Sequence, residues 1–156
     1  MLAQNEVCKC IKEVAVADAA ASLGKMQFIA VNYNSPGKYP CDVVLHKQFS
    51  PELKALLEGL GLGGQTARAI LRKLRPRQSI PPHVDQWMPA EAQWRRFQVP
   101  LTSHPDIVMR WPNDGVELHL APGFLYEVRF DRLHEVVHNA DVARVHLQID
   151  QIDATI

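Results

Sequence analysis

The chain has 156 residues, of which 47% are hydrophobic and 22% charged, and 17 basic residues balance 17 acidic ones. This length suits one domain, and zero net charge argues against a nucleic-acid partner. No apolar run approaches the roughly 20 residues of a membrane span, and the N-terminal residues lack the order of a signal peptide. We therefore expect a single domain over residues 1–156 that binds neither nucleic acid nor membrane.

The first third of the chain predicts mixed structure. Residues 26–33 favour a strand, and the Gly and Pro residues of 34–40 indicate a loop. Ser50 and Pro51 are typical of the N-cap and first position of a helix. Residues 67–75 fit a strand or a helix equally well. The expected helix carries an apolar stripe of four leucines: Leu53, Leu56, Leu57 and Leu60.

The second half consists of short apolar segments separated by turn signals. This spacing predicts a β-sandwich or jelly roll, and Asn113-Asp114-Gly115 predicts a tight hairpin. A mixed part, residues 1–66, therefore precedes an all-β core, residues 67–150. The expected strands are 97–102, 106–111, 116–120, 124–130, 135–138 and 143–149.

The cysteine count bears on the compartment. Cys8, Cys10 and Cys41 make an odd number, which indicates free thiols in a reducing, cytoplasmic setting. Cys8 and Cys10 could bind a metal, but there is no second close cysteine pair. The simpler interpretation is that the two share one face of a strand.

The sequence IPPHVD, residues 80–85, raises the question of a metal site. A non-haem iron site needs two His and one carboxylate on one face of the metal. His83 and Asp85 could supply two of these ligands, because residues i and i+2 of an extended segment point the same way. A third ligand must come from a distant strand, and seven histidines are available.

His134 is the best candidate for the third ligand. It follows an expected turn at Asp131-Arg132, with enough chain after Asp85 for several strands to intervene. We expect the chain then to turn at residues 139–141 and return as a hairpin that brings Arg144 near His134. A buried arginine there would suit a carboxylate, which guanidinium binds through two parallel hydrogen bonds.

Three segments resemble the aspartyl/asparaginyl β-hydroxylase family of Fe(II)/2-oxoglutarate dioxygenases. They are ILRKLRPRQSIPPHVD (70–85), RFQVPL (96–101) and the block from His119 to Asp150, which has a Pro-Gly turn, an aromatic-Asp pair, His-x-Val and an Arg ten positions after that His. The sequence departs from the family pattern at Gln98, where a His is usual, and at Arg77-Gln78, which replace a Gly-rich turn.

The resemblance implies a double-stranded β-helix, a cupin-like jelly roll, flanked by helices. It implies Fe(II) ligands His83, Asp85 and His134, with Arg144 on the far carboxylate of 2-oxoglutarate and Arg96 as a second carboxylate-binding residue. Gln98 would contribute a hydrogen bond beside them. The implied activity uses O2 and 2-oxoglutarate to hydroxylate an amino-acid side chain, free or in a peptide or protein, with Asp or Asn favoured and succinate and CO2 released.

Other interpretations stay open at this level. His83 and Asp85 could be an exposed loop pair, and His134 a surface residue after a turn. Val145, Leu147 and Ile149 alternate with Arg144 and its polar neighbours, which would ordinarily place Arg144 in water. Rival functions are a non-redox metal-binding jelly roll, acting as hydrolase, isomerase or sensor, and a non-catalytic β-sandwich interaction domain. Three large residues could form either a lid or aromatic core: Trp87, Met88 and Trp94.

Overall fold

The computed structural model describes residues 1–31, 41–62, 65–85 and 93–152. Its helices are α1 (Gln4–Val7), α2 (Ala17–Ser22) and α3 (Pro51–Gly59). The strands are β1 (Cys8–Glu13), β2 (Ile29–Val31), β3 (Cys41–Leu45), β4 (Gln65–Leu74), β5 (Ile80–His83), β6 (Trp94–Thr102), β7 (Ile107–Trp111), β8 (Val116–Leu118), β9 (Phe124–Val128), β10 (His134–His138) and β11 (Arg144–Ile152). No helix among the described residues is long and apolar enough to cross a membrane.

The described strands form two antiparallel sheets. The larger has the order β1-β9-β6-β11-β4-β3-β2, and the smaller has the order β5-β10-β7-β8. Neighbours in each sheet are mostly distant along the chain, which is the connectivity of a jelly roll rather than of simple hairpins. The predicted fold class, mainly β with flanking helices, is confirmed.

Several predicted elements differ from the structure. Residues 67–74 of the ambiguous segment 67–75 lie in the strand β4, because they pair on both edges, with β3 and with β11. The strand predicted over 26–33 is short, since β2 begins at Ile29, and residues 32–40 lie outside the described residues. The β7–β8 hairpin forms, but through a 3-10 turn over Pro112–Asp114 and a left-handed Gly115 with φ of 64°.

The predicted hairpin that would bring Arg144 to His134 is wrong. β10 pairs with β5 and β7 in the smaller sheet, whereas β11 pairs with β4 and β6 in the larger one. The turn at residues 139–141 therefore carries the chain from one sheet to the other. Residues of β10 and β11 face each other across the interior instead of pairing edge to edge.

The larger sheet buries apolar residues on its outer face. Val145, Leu147 and Ile149 of β11 pack there in one cluster with Phe49 and Leu53, under α2 and α3. The alternate residues of the same strand therefore face the space between the sheets, and they are polar and buried: Arg144, His146, Gln148 and Asp150. Such an arrangement places charge inside the fold while the helix layer supplies apolar burial.

The start of α3 gives a direct test of the outer layer. Ser50 Oγ accepts a hydrogen bond from the Leu53 N–H at 3.3 Å, and Pro51 takes the first helical position. We expect Ser50→Ala to lower the free energy of unfolding by about 1 kcal/mol, the usual contribution of an N-cap. Urea unfolding measures this, with Ser50→Asn, which keeps an acceptor, as the control; equal losses in both variants would contradict the capping role.

Candidate metal centre

Strand pairing brings two histidines together at one end of the smaller sheet. His83, at the end of β5, stands opposite His134, at the start of β10, and their ring centroids are 4.3 Å apart. Asp85 follows two residues later, where its N–H donates to the Phe130 carbonyl at 3.1 Å. One ligand atom from each of these three side chains lies within 4.8 Å of the other two.

Backbone carbonyls fix the tautomer of both histidines. His83 Nδ1 lies 2.9 Å from the Pro81 carbonyl oxygen, and His134 Nδ1 lies 2.7 Å from that of Arg132. Because a carbonyl can only accept, each Nδ1 carries the proton, and each Nε2 keeps the lone pair that a metal needs. Burial also lowers the pKa of His134, which keeps its ring neutral.

The donor set fits a divalent first-row metal. Two imidazole nitrogens and one carboxylate oxygen match the 2-His-1-carboxylate set of non-haem Fe(II) oxygenases. His83 Nε2 lies 3.5 Å from Asp85 Oδ1, a separation that a shared metal could bridge. His83 and Asp85 are partly exposed whereas His134 is buried, so the cluster is reachable from one side.

Asp85 is held by an arginine that serves two carboxylates. Arg96 donates through Nη1 to Asp85 Oδ2, and through Nε to Asp150 Oδ1 at 2.6 Å. Arg68 donates to Asp150 from the other side at 2.6 Å. Burial alone would raise the pKa of Asp150, but the two arginines lower it below its usual value, so the carboxylate stays charged.

Arg144 lies deeper along the same inner face. It is 2% exposed, and its Nη2 donates to Gln98 Oε1 at 2.9 Å. Burial lowers its pKa from 12.5 to about 10, so the guanidinium stays charged at neutral pH. Gln98 follows Arg96 by one side-chain repeat on that face of β6, about 7 Å along a strand.

The predicted site residues thus fall into two groups, the candidate metal ligands at the β5–β10 end of the smaller sheet and the others on the facing side of the larger sheet. His83, Asp85 and His134 meet at the opening, and Arg144 meets Gln98 in the interior, with Arg96 between them at Asp85. The structure places Trp94 at the start of β6, while Trp87 and Met88 lie outside the described residues. These assignments stay predictions as to what each residue binds.

Sequence reasoning missed the role of Asp150. It left open whether the polar residues of β11 face water or a pocket and gave Asp150 no role, although the carboxylate is fully buried among Arg68, Arg96 and Gln148. The alternation of polar and apolar residues was the available signal. Its usual interpretation, polar outward, fails here because helices cover the apolar face.

Buried histidines predict acid sensitivity. Burial lowers the pKa values of His134 and His138 from 6.5 and that of His146 well below 6.5. Below pH 6.5 these histidines take up protons in the unfolded chain, whereas in the native state they stay neutral to a lower pH. Their contribution to the free energy of unfolding is therefore fully present above pH 6.5 and is lost as the pH falls. Each histidine contributes up to about 1.4 kcal/mol per pH unit.

The measurement is urea unfolding of the metal-free protein at pH 7.5, 6.5 and 5.5. We expect His146→Gln to reduce the slope of stability against pH by about one proton. His104→Gln is the matched control, since that ring is exposed. An identical slope in wild type and His146→Gln would contradict the prediction.

Comparison with known proteins places the fold. No family model matches the chain, and no curated protein matches it. AviO1 from Streptomyces viridochromogenes Tue57 superposes with a TM-score of 0.67 at 12% identity, covering 96% of this chain and 90% of its own. An oxidoreductase of the 2OG-Fe(II) oxygenase family from Burkholderia pseudomallei gives 0.61 at 14%, covering 87% and 78%.

A viral collagen prolyl hydroxylase from Paramecium bursaria Chlorella virus-1, solved with 2OG, also gives a TM-score of 0.61, at 10% identity and with 94% and 96% coverage. Together with the sheet topology, these neighbours define the chain as a jelly-roll protein whose fold is shared with a member of the 2OG-Fe(II) oxygenase family and a prolyl hydroxylase. At such identities the likeness extends to the fold alone, and the resemblance to aspartyl/asparaginyl β-hydroxylases stays a prediction.

Proposed function

We propose that the protein is an Fe(II)/2-oxoglutarate-dependent dioxygenase that hydroxylates a C–H bond of an amino-acid side chain. The observation that carries this proposal is the convergence of His83, Asp85 and His134 on one point, with the buried guanidinium of Arg144 on the facing sheet. The jelly-roll neighbours, which include a 2OG-Fe(II) oxygenase-family oxidoreductase and a prolyl hydroxylase, support the same class of reaction.

The three ligands would hold the iron and leave positions for other molecules. When bound, the iron supplies the oxidative chemistry, in which O2 and 2-oxoglutarate give succinate, CO2 and the hydroxylated product. The contribution of the chain is geometric. The carbonyls of Pro81 and Arg132 orient the two rings, and Arg96 orients the carboxylate of Asp85.

Arg144 would bind the far carboxylate of 2-oxoglutarate. Its guanidinium is charged, buried and held in place by the neutral amide of Gln98, so its charge has no carboxylate partner among the described residues. The step of about 7 Å between Arg96 and Gln98 along β6 is comparable with the length of an extended five-carbon diacid. Arg96 uses three of its five N–H donors on Asp85 and Asp150, which leaves donors for the near carboxylate.

Apolar side chains would exclude water beside Arg144. The described side chains packed beside it include Ile107, Met109, Leu120 and Val136, and they leave no room for a water molecule between them. A low-dielectric wall strengthens the attraction between guanidinium and carboxylate relative to water. This favours a dianionic co-substrate over neutral keto acids of similar size.

The substrate proposal rests on the sequence resemblance. It favours an Asp or Asn side chain, free or within a peptide or protein. We also propose a cytoplasmic location, since the three cysteines form no disulfide in the structure and both thiols and Fe(II) persist under reducing conditions.

The test is an anaerobic titration of the metal-free protein with Fe(II) and then 2-oxoglutarate. We expect a visible metal-to-keto-acid charge-transfer band that requires both additions, is absent in His134→Ala and is weakened in Arg144→Ala. His104→Ala and Arg129→Ala are matched controls on exposed residues. Admission of O2 with a substrate should then yield one succinate per hydroxylated product.

Two outcomes would contradict the proposal. Metal binding without a band would favour a non-redox metal-binding jelly roll, acting as a hydrolase, isomerase or sensor. Failure to bind any divalent metal would favour a non-catalytic interaction domain.

A further inference from the structure

Asp150 lies behind the metal centre and touches none of its ligands. Its side chain is 0% exposed. Its Oδ1 accepts from Arg96 Nε at 2.6 Å, and its Oδ2 accepts from Arg68 Nε and Nη2 at 2.9 and 2.6 Å, from Gln148 Nε2 at 3.1 Å and from Arg96 Nη2 at 3.3 Å. A carboxylate this fully engaged is fixed in position, and it fixes the guanidinium bound to it.

Arg96 is constrained on three sides. Asp150 accepts a hydrogen bond from Arg96 Nε, and Asp85 Oδ2 accepts one from Arg96 Nη1. The Phe130 ring lies under the guanidinium, with its centroid 4.5 Å from Arg96 Cζ. Phe130 also binds Asp85 directly, since its carbonyl accepts from the Asp85 N–H at 3.1 Å. The guanidinium and the backbone of Asp85 are therefore held by the same residue.

We propose that Asp150 is a positioning residue of the metal centre, acting through Arg96 on the metal ligand Asp85. With Oδ2 of Asp85 occupied by Arg96, Oδ1 is the oxygen that faces His83 Nε2, at 3.5 Å. By holding Arg96, Asp150 thus leaves Oδ1 of Asp85 as the oxygen available to a metal, and it fixes the direction in which that oxygen points. This inference rests on the proposed function in that it needs a metal at the His–Asp–His cluster.

Charge gives Asp150 a second effect on the site. Arg68 and Arg96 would repel a divalent cation bound at Asp85, and Asp150 offsets both because it contacts both. A neutral side chain at position 150 would leave two positive charges behind the metal. Loss of alignment and loss of compensation both weaken metal binding.

The experiment measures Co(II) binding to the metal-free protein by visible absorption, since cobalt bands report both affinity and coordination. We expect Asp150→Asn to raise the Kd for Co(II) by about 10- to 100-fold, as for other outer-shell partners, and to change the band shape. Glu127→Gln is the matched control: its ion pair with Arg95, at 2.6 Å, lies on the opposite face of β6.

A double-mutant cycle tests whether Asp150 acts on the metal centre through Arg96 or only stabilises the fold. In an Arg96→Gln background, Asp150→Asn should raise the Kd by a factor about 3-fold or more smaller than in the wild-type background, because alignment of Asp85 acts through Arg96 and only the compensation of Arg68 remains. Arg96→Lys keeps the positive charge but loses the planar guanidinium that bonds both Asp85 and Asp150. In the wild-type background it should therefore weaken Co(II) binding. It is also the test should Asp150→Asn fail to fold.

Some results would overturn the inference while leaving the metal site intact. One such result is that Asp150→Asn or Arg96→Lys binds Co(II) with the wild-type Kd and the wild-type spectrum. Another is that the Kd increase in the double variant equals the product of the increases in the two single variants. A wild-type protein that binds no Co(II) would instead overturn the proposed function, so the two failures are distinguishable.

Discussion

Replacing His134 with alanine is expected to abolish metal binding while leaving the fold intact. Outer-shell changes already cost 10- to 100-fold in affinity, so loss of a ligand should exceed about 100-fold. The metal-free protein should tolerate the change, because burial lowers the pKa of His134 and the ring makes a single backbone contact among the described residues, to Arg132.

Thermal unfolding with and without Co(II) measures this effect. At 100 times the Kd, a ligand stabilises the native state by about 2.7 kcal/mol, which corresponds to a rise in Tm of roughly 5–10 °C for a chain of this size. Wild type should show the rise and His134→Ala should not. His104→Ala should behave as wild type, and a metal-dependent rise in His134→Ala would contradict its assignment as a ligand.

Replacing Arg144 with methionine is expected to stabilise the metal-free protein and to abolish 2-oxoglutarate binding. The lowered pKa, about 10, means that the folded state disfavours the charged form, and replacing buried charges by apolar groups is often stabilising. We expect the free energy of unfolding to rise by about 1–3 kcal/mol. Affinity for 2-oxoglutarate should fall more than about 100-fold, since a buried charge pair has lost one partner.

Urea unfolding and 2-oxoglutarate titration of the cobalt protein measure the two effects. The Kd for Co(II) should not change, which separates Arg144 from the metal ligands. Arg129→Met is the control, since that guanidinium is exposed and paired with Asp131; its stability should change by less than about 0.5 kcal/mol. Destabilisation of Arg144→Met with retained 2-oxoglutarate binding would show that Arg144 serves the fold.

The sequence predicts more of the second half than of the first. β6 to β11 are bounded by Gly, Pro, Asn and Asp signals, and each was expected close to where it lies. For β1 the sequence suggested only that Cys8 and Cys10 share a strand, without bounds, because five of its six residues are exposed and the segment lacks the alternation that reveals a half-buried strand. Local pattern likewise cannot say whether the strand after β10 pairs with it or crosses to the other sheet, which is why the hairpin prediction failed.

The candidate site shows the same division. His83 and Asp85 are two residues apart, and their common direction follows from strand geometry alone. His134 and Arg144 were chosen from a turn signal and an expected hairpin, and the family resemblance then supported both. The hairpin was wrong because the positions of these residues are set by pairing between distant strands. The contact between Asp150 and Arg96 joins residues 54 positions apart, and no periodicity signals it.

The outward-facing core of the larger sheet has a consequence for how such a protein can change. Because Leu147 and its neighbours are buried beneath α3, this part of the apolar packing is separated by one sheet thickness from the residues that would meet small molecules. Substitutions at inward positions such as Gln98 or His146 can therefore alter which molecule is accepted without disturbing the helix layer. A lineage built on this plan can acquire new specificities one inner residue at a time, with its scaffold unchanged.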